Sequence, residues 1–138
     1  MRVLKKQWQR FIGSHPGLAA RLLGEYPLVE IPDQAATIPR TGAAIPAVVY
    51  QTWDTRLLGK THAAALQVFR DLNPDLDFVL ITKAERDNFM EQEFAGHPIL
   101  DIYRKGQFGP LKVDIWRYCW IYKNGGIYFD INKCLKQP

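Results

Sequence analysis

Three short runs of β-branched and aromatic residues, at 47–52, 77–81 and 127–131, constrain this chain most. Segments of helical character lie between them, and that alternation predicts an α/β fold with a largely parallel sheet. Helices are expected over 58–70, stopping before Asn73-Pro74, and from Thr82 to about Phe94, where Thr82 followed by Glu85 makes a capping-box signature. His97-Pro98 opens a further helix through Arg104. Gly109-Pro110 precedes the longest, 111–124, which Gly125-Gly126 terminates.

Ahead of this pattern, residues 1–24 read as basic helical material. Leu4, Trp8, Phe11 and Ile12 share one face, while Arg2, Lys5, Lys6, Gln9 and Arg10 cover the rest. Such a face, over 1–12, suits an anionic membrane surface or a partner; its commoner fate is packing on its own domain. The run from Gly13 to Gly17 breaks the pattern, and 18–23 suits a second short helix. Residues 24–46 carry Pro27, Pro32, Pro39 and Pro46 with almost no periodicity, and read as an extended connector rather than an element. The chain thus divides into an N-terminal helical and proline-rich extension, 1–44, and an α/β domain, 45–138.

Composition narrows the function classes. At 138 residues, 47% hydrophobic and 23% charged, the chain suits one folded globular domain. Eighteen Lys+Arg against fourteen Asp+Glu give +4, a surplus that suits phosphate without demanding nucleic acid. Four Trp and six Tyr could stack on bases, but no basic stripe interleaves with them, so nucleic acid is not an expected partner. No apolar stretch approaches the ~20 residues of a membrane span, and no signal-peptide pattern opens the chain. Two cysteines, Cys119 and Cys134, make no disulfide scaffold. The expected location is cytoplasmic, with peripheral membrane contact through 1–12. His15, His62 and His97 lack metal-ligand spacing and read as surface or satisfied histidines. Walker, G-x-G-x-x-G and G-x-S-x-G motifs are absent.

The helix over 111–124 carries the chemistry. At about 100° per residue, Lys112 and Lys123 fall on one side with Trp116 close by, which reads as the solvent face. Asp114 and Arg117 lie roughly opposite, among Val113, Trp120, Ile121 and Tyr118. A buried charge costs several kcal/mol unless it is partnered. Either the two pair across one turn on a partly wet face, or they line a polar cleft and meet a ligand; the helix alone leaves both open. The strand that follows adds Tyr128 and Asp130, and in open α/β sheets ligands sit beyond the carboxyl ends of strands. Asp130 there suits a ligand or a metal, or is a turn residue. Asp130 and Asn132 face the same way if the strand continues that far.

These residues resemble a known family. Asp114-Ile115-Trp116-Arg117-Tyr118, then Gly125-Gly126-Ile127-Tyr128-Phe129-Asp130-Ile131-Asn132, looks like the D-x-x-R-Y … G-G-x-Y-x-D-x-D block of the DXD-containing sugar transferases. That family includes the yeast-type initiating α-1,6-mannosyltransferases and bacterial capsular polysaccharide glycosyltransferases. The stretch from Ile45 to Trp53 is similar to its I-P-K-x-I-H-Q-x-W opening, and Asn73-Pro74 with Phe78-Val79-Leu80 resembles its N-P-x-y-x-y-x-l-w stretch. Three blocks in register over 45–132 carry the likeness.

The resemblance implies a GT-A-like, Rossmann-like fold binding a nucleotide-sugar donor and a saccharide or lipid-linked acceptor, in polysaccharide or glycoconjugate synthesis, with retention of anomeric configuration. It places Gln51, Thr52 and Trp53 in the nucleotide pocket and brings Asp114 and Arg117 to the donor sugar and phosphates. Tyr118, Gly125, Gly126 and Tyr128 follow as substrate-binding. Asp130 and Asn132 stand where the D-x-D holds ribose, sugar and a divalent cation, Mn²⁺ or Mg²⁺, on the diphosphate. A metal and an arginine suit that chemistry because a nucleoside diphosphate departs as an anion.

Two departures follow. Asn132 replaces the second acid and offers a carbonyl oxygen without charge, which lowers cation affinity; Tyr50 replaces the opening histidine. The resemblance also expects the sheet and an acceptor-binding half to continue beyond the D-x-D, where this sequence has six residues. The chain is therefore expected to hold the donor half of such an enzyme. The alternative is a non-catalytic module that binds nucleotide sugar, or a partner or second copy through an unfinished sheet edge.

Overall fold

The computed structural model describes residues 24, 27–38, 42 and 44–131. The expected helices over 1–24, and Asn132 and Cys134, lie outside the described residues. In chain order the elements are β1 (Val29–Glu30), β2 (Val48–Thr52), β3 (Leu57–Leu58), α1 (Lys60–Asp71), β4 (Asp77–Ile81), α2 (Lys83–Glu93), α3 (Pro98–Lys105), α4 (Gly109–Asn124) and β5 (Ile127–Tyr128). A parallel sheet runs in the order β4-β2-β5, and β1 pairs with β3 in a separate antiparallel ribbon. Val48 to Thr52 align one for one with Asp77 to Ile81, while Val49 and Tyr50 face Ile127 and Tyr128. The expected α/β architecture, with its mainly parallel sheet, is the one observed.

Period-two alternation assigns each strand residue to a face. On one face Val49 and Phe78 pack with Phe69 of α1, and Leu80 joins Leu58, Ala63, Leu66, Ile31 and Ile131. On the other, Val79, Ile81 and Tyr128 meet Met90, Leu100, Tyr103, Trp116 and Cys119 from α2, α3 and α4. Two helical layers therefore enclose the sheet, as its near-continuous apolar strands require.

The helix ends follow local chemistry. Thr82 Oγ1 accepts from the Glu85 N–H at 3.3 Å and the Glu85 carboxylate accepts from the Thr82 N–H at 2.6 Å, completing the capping box. His97 Nδ1 accepts from the Ile99 N–H at 3.1 Å, and Pro98 occupies the first turn of α3. Gly125 and Gly126 end α4 at φ of 67° and 80°, a region that side chains disfavour. No helix among the described residues is long and apolar enough to cross a membrane.

Three expectations are corrected. The described part of 24–46 is not without elements: β1 pairs with Leu57 and Leu58, and Gln34 and Phe78 exchange backbone hydrogen bonds at 2.9 and 2.7 Å. Pairings this short leave no periodicity to read. The third strand ends at Tyr128 rather than 131, because Phe129 turns to stack on Phe69 at 4.9 Å and Ile131 enters the α1 side of the core. The side of α4 that carries Lys112, Trp116 and Lys123 is not the solvent face but the packed one. Trp116 is fully buried, Lys112 Nζ lies 5.0 Å from the Tyr103 ring, and Lys123 reaches Glu93 at 3.2 Å. Lysine stems cover apolar surface while their ammonium groups stay wet, so lysine positions mark the rim of an interface as readily as open surface.

Candidate functional site

A cleft of about 350 Å³ opens beyond the carboxyl ends of β2 and β5, the position at which parallel sheets hold ligands. The end of β2 supplies Thr52, Trp53 and Asp54, and the chain after β5 supplies Tyr128, Asp130 and Ile131. The first two turns of α4 contribute Gly109, Pro110, Val113 and Asp114, with Arg117 one turn on, and α2 contributes Arg86. Phe108 gives α4 no side-chain cap, and the Gly109 N–H at the cleft has no carbonyl to bond within the helix.

Asp114 and Arg117 do both things left open by the sequence. They pair at 2.9 Å across one turn, and both line the cleft. The Arg117 guanidinium also lies 5.5 Å from the Tyr128 ring. Burial, then the Asp130 carboxylate, push the Tyr128 phenol above its ordinary range, so it remains a neutral hydroxyl at the cleft wall. Trp53 is half exposed at the opposite side, its ring 5.9 Å from the His62 ring in an edge contact.

The structure gathers Thr52, Trp53, Asp114, Arg117, Tyr128 and Asp130 around one space. It does not bring four other expected residues there. Gln51 alternates to the α1 face of β2, where its amide is buried without a hydrogen-bond partner among the described residues. Tyr118 is 71% exposed on the outer side of α4. Gly125 and Gly126 shape the helix-to-strand turn instead: a Cβ on Gly126 would lie 2.7 Å from the Tyr50 ring.

Sequence reasoning missed Arg86 and Asp54, while His62 is the satisfied histidine it expected. Arg86 is almost fully buried, donates from Nη1 to Thr52 Oγ1 and to the Trp53 carbonyl at 3.2 Å, and reaches Asp54 at 3.6 Å. Its position on α2 resembled any solvated helix arginine, and only the third dimension turned it inward. His62 Nε2 bonds the Ile131 carbonyl at 2.9 Å and so ties α1 to the segment carrying Asp130.

Among the described residues no three His, Cys, Asp or Glu side chains cluster to hold an ion by themselves. Asp130 is exposed at the cleft and has no hydrogen bond or ion pair among the described residues, which leaves its carboxylate available. Mg²⁺-type sites often use one or two carboxylates and complete the shell with substrate phosphates. The residues present fit a cation that arrives with a diphosphate better than a preformed metal cage.

The family model described as a glycosyltransferase sugar-binding region containing a DXD motif matches residues 59–138. Inositol phosphoceramide mannosyltransferase 3 of Schizosaccharomyces pombe is 32% identical over 90 residues, which is 65% of this chain and 25% of that protein. Mannosyl phosphorylinositol ceramide synthase CSH1 of Saccharomyces cerevisiae is 31% identical over 88 residues, 64% of this chain and 23% of that one. The initiation-specific alpha-1,6-mannosyltransferase of Candida albicans is 29% identical over 98 residues, 67% and 26%. The chain thus spans about a quarter of the length of these curated relatives. No solved structure matches it.

Proposed function

The chain belongs to the glycosyltransferase family whose sugar-binding region contains the DXD motif, and from that premise we propose that its cleft binds a nucleotide-sugar donor for transfer to a saccharide or lipid-linked acceptor. The observation that carries the reading is the convergence of Trp53, Asp114, Arg117 and Asp130, distant in sequence, on one cleft at the carboxyl ends of parallel strands. The printed names of the relatives make mannose the first donor sugar to try and an inositol phosphoceramide-like lipid the first acceptor class. Synthesis of polysaccharide or glycoconjugate in the cytoplasm, in reach of a membrane through the basic sequence 1–12, completes the proposal.

Each residue type has work to do in such a reaction. Trp53 walls the nucleobase. The Asp114 carboxylate accepts from sugar hydroxyls, and its pairing with Arg117 fixes the guanidinium where the diphosphate would lie. Arg117 then offsets charge that grows on the diphosphate as the glycosidic bond breaks. Asp130, with Asn132 beside it in sequence, would hold a divalent cation, which when bound neutralises the departing diphosphate. Tyr128 as a neutral phenol donates to an oxygen of the donor.

The test is calorimetric titration of UDP, GDP and their sugar conjugates into the full chain, with and without Mn²⁺. The reading expects micromolar binding of one nucleotide, strengthened by Mn²⁺ and weakened at least tenfold in Asp130→Ala, on the scale of one charge-assisted contact. Binding that Asp130→Ala leaves untouched would overturn the assignment. Binding without any sugar transfer or donor hydrolysis would favour the non-catalytic module.

A further inference from the structure

Arg86 has a problem that the rest of the cleft does not solve. Its side chain is 6% exposed, and a charge so far from water costs several kcal/mol unless acceptors surround it. Nη1 is provided for by Thr52 Oγ1 and the Trp53 carbonyl. Nε is buried with no partner. Nη2 faces the Asp54 carboxylate at 3.6 Å, too long for a hydrogen bond, and that carboxylate is 81% exposed; the guanidinium's other neighbours are the Tyr103 hydroxyl, which itself donates to Asp87, and the Trp116 ring at 6.0 Å. The guanidinium is therefore clamped at one end by the tip of β2 and under-served at the other.

The cleft offers no better protein partner. Asp114 is already engaged by Arg117 at 2.9 Å, and Asp130 makes no ion pair with Arg86 among the described residues. Asp54 lies in the exposed loop after β2, free of the packing that holds Thr52. A buried cation facing an exposed carboxylate across a gap suits an exchange of anions. Guanidinium forks match phosphate oxygens in the same bidentate geometry as carboxylates.

The geometry points to Arg86 as a second anchor for the donor's diphosphate, with Asp54 standing in for the phosphate and giving way when the donor binds. This rests on the donor reading above and deepens it: Asp54 competes with the ligand from within the chain. Arg86 and Arg117 then approach the diphosphate from α2 and α4, two different walls of one cleft.

The experiment titrates inorganic pyrophosphate, UDP and GDP, in metal-free buffer, into the full chain and into Asp54→Asn, Arg86→Gln and the double variant. Asp54→Asn should bind pyrophosphate and the preferred nucleotide about threefold more tightly, the scale of one exposed ion pair. Arg86→Gln should bind about tenfold more weakly, and in that background Asp54→Asn should bring no gain. A gain that persists undiminished in the double variant would be general charge relief and overturns the proposal. So does an Asp54→Asn protein with unchanged or weaker binding. If Arg86→Gln does not fold, Arg86→Lys serves instead, since it keeps the charge and loses the two-pronged donor. The gain from Asp54→Asn must then shrink in the Arg86→Lys background, or the proposal fails. Nucleotide binding that responds to Asp130→Ala but not to Asp54→Asn leaves the donor reading standing and removes this one. A folded chain that binds none of the three ligands removes both.

Discussion

Thr52 is the residue on which the cleft floor turns. Its hydroxyl donates to the Ile81 carbonyl at 2.6 Å and accepts from Arg86, so one buried oxygen joins β2, β4 and α2. Thr52→Val keeps the shape but strands two buried polar groups, and should lower unfolding stability by about 1–3 kcal/mol. Thr52→Ser should restore most of it, as urea midpoints would register. Asp33 is the counterpart at the outer edge of β4. Partial burial pushes its carboxyl up, but the Arg56 hydrogen bond, the Leu80 N–H and the charges of Arg56 and Arg70 outweigh this and hold it below the ordinary range. A carboxyl depressed in the folded state stabilises above its unfolded value, and that contribution is lost as pH falls through the folded value. Asp33→Asn should therefore lower the urea midpoint at pH 7, and the gap to the parent should close as pH falls below about 4. Neither role shows in the sequence, where Thr52 reads as a strand residue and Asp33 as part of a proline-rich connector.

Helices and their ends were the most legible elements, because caps are local. Thr82 and Glu85 announce α2 within four letters, and the observed start agrees. Thr82→Ala should cost about 1 kcal/mol, measurable by denaturant unfolding. The turn from α4 into β5 is tighter. At Gly126, φ is 80° and an added Cβ would meet Tyr50 Cε2 at 2.7 Å and the Val48 carbonyl at 3.0 Å. Gly126→Ala should destabilise by roughly 2 kcal/mol, from backbone strain together with displacement of the Tyr50 ring. That ring packs edge-on to Trp120 at 5.3 Å, so the near-ultraviolet aromatic signal should change as well. The faces of α4 were less legible than its ends. Aromatic and charged residues surround the whole helix, and a lysine whose ammonium lies over a tyrosine ring reads in sequence like a lysine in water.

At the scale of the molecule, the connector belongs to the fold's energetics. Ile31 is buried with Leu58, Leu66, Leu80 and Ile131, Arg70 donates to the Pro32 carbonyl at 2.6 Å, and residues 33 and 34 bond the outer edge of β4. That covers one edge of the sheet, while β5 pairs only with β2 among the described residues. Ile31→Ala should cost about 2–4 kcal/mol, as for other buried large-to-small changes. Because its cluster includes Leu80 and Ile131, far- and near-ultraviolet signals should fall together in one transition for both proteins. Separate transitions would mean that the connector is only laid on the surface.

Sequence by itself determined the order of the three parallel strands and the helices between them, the capped helix starts and the double-glycine turn, but not the short strands Val29–Glu30 and Leu57–Leu58. Each feature it determined is encoded in spacing along a few residues, where backbone geometry allows few alternatives. Only the tertiary structure decided which of the expected site residues share a space, which kept Thr52 and Trp53 at the cleft and sent Gln51 to the far face. It also decided which charges are buried. Arg86 is charged and solvated in isolation; it becomes a cleft residue because β2 ends beside α2, and that proximity is a long-range contact that no local pattern records.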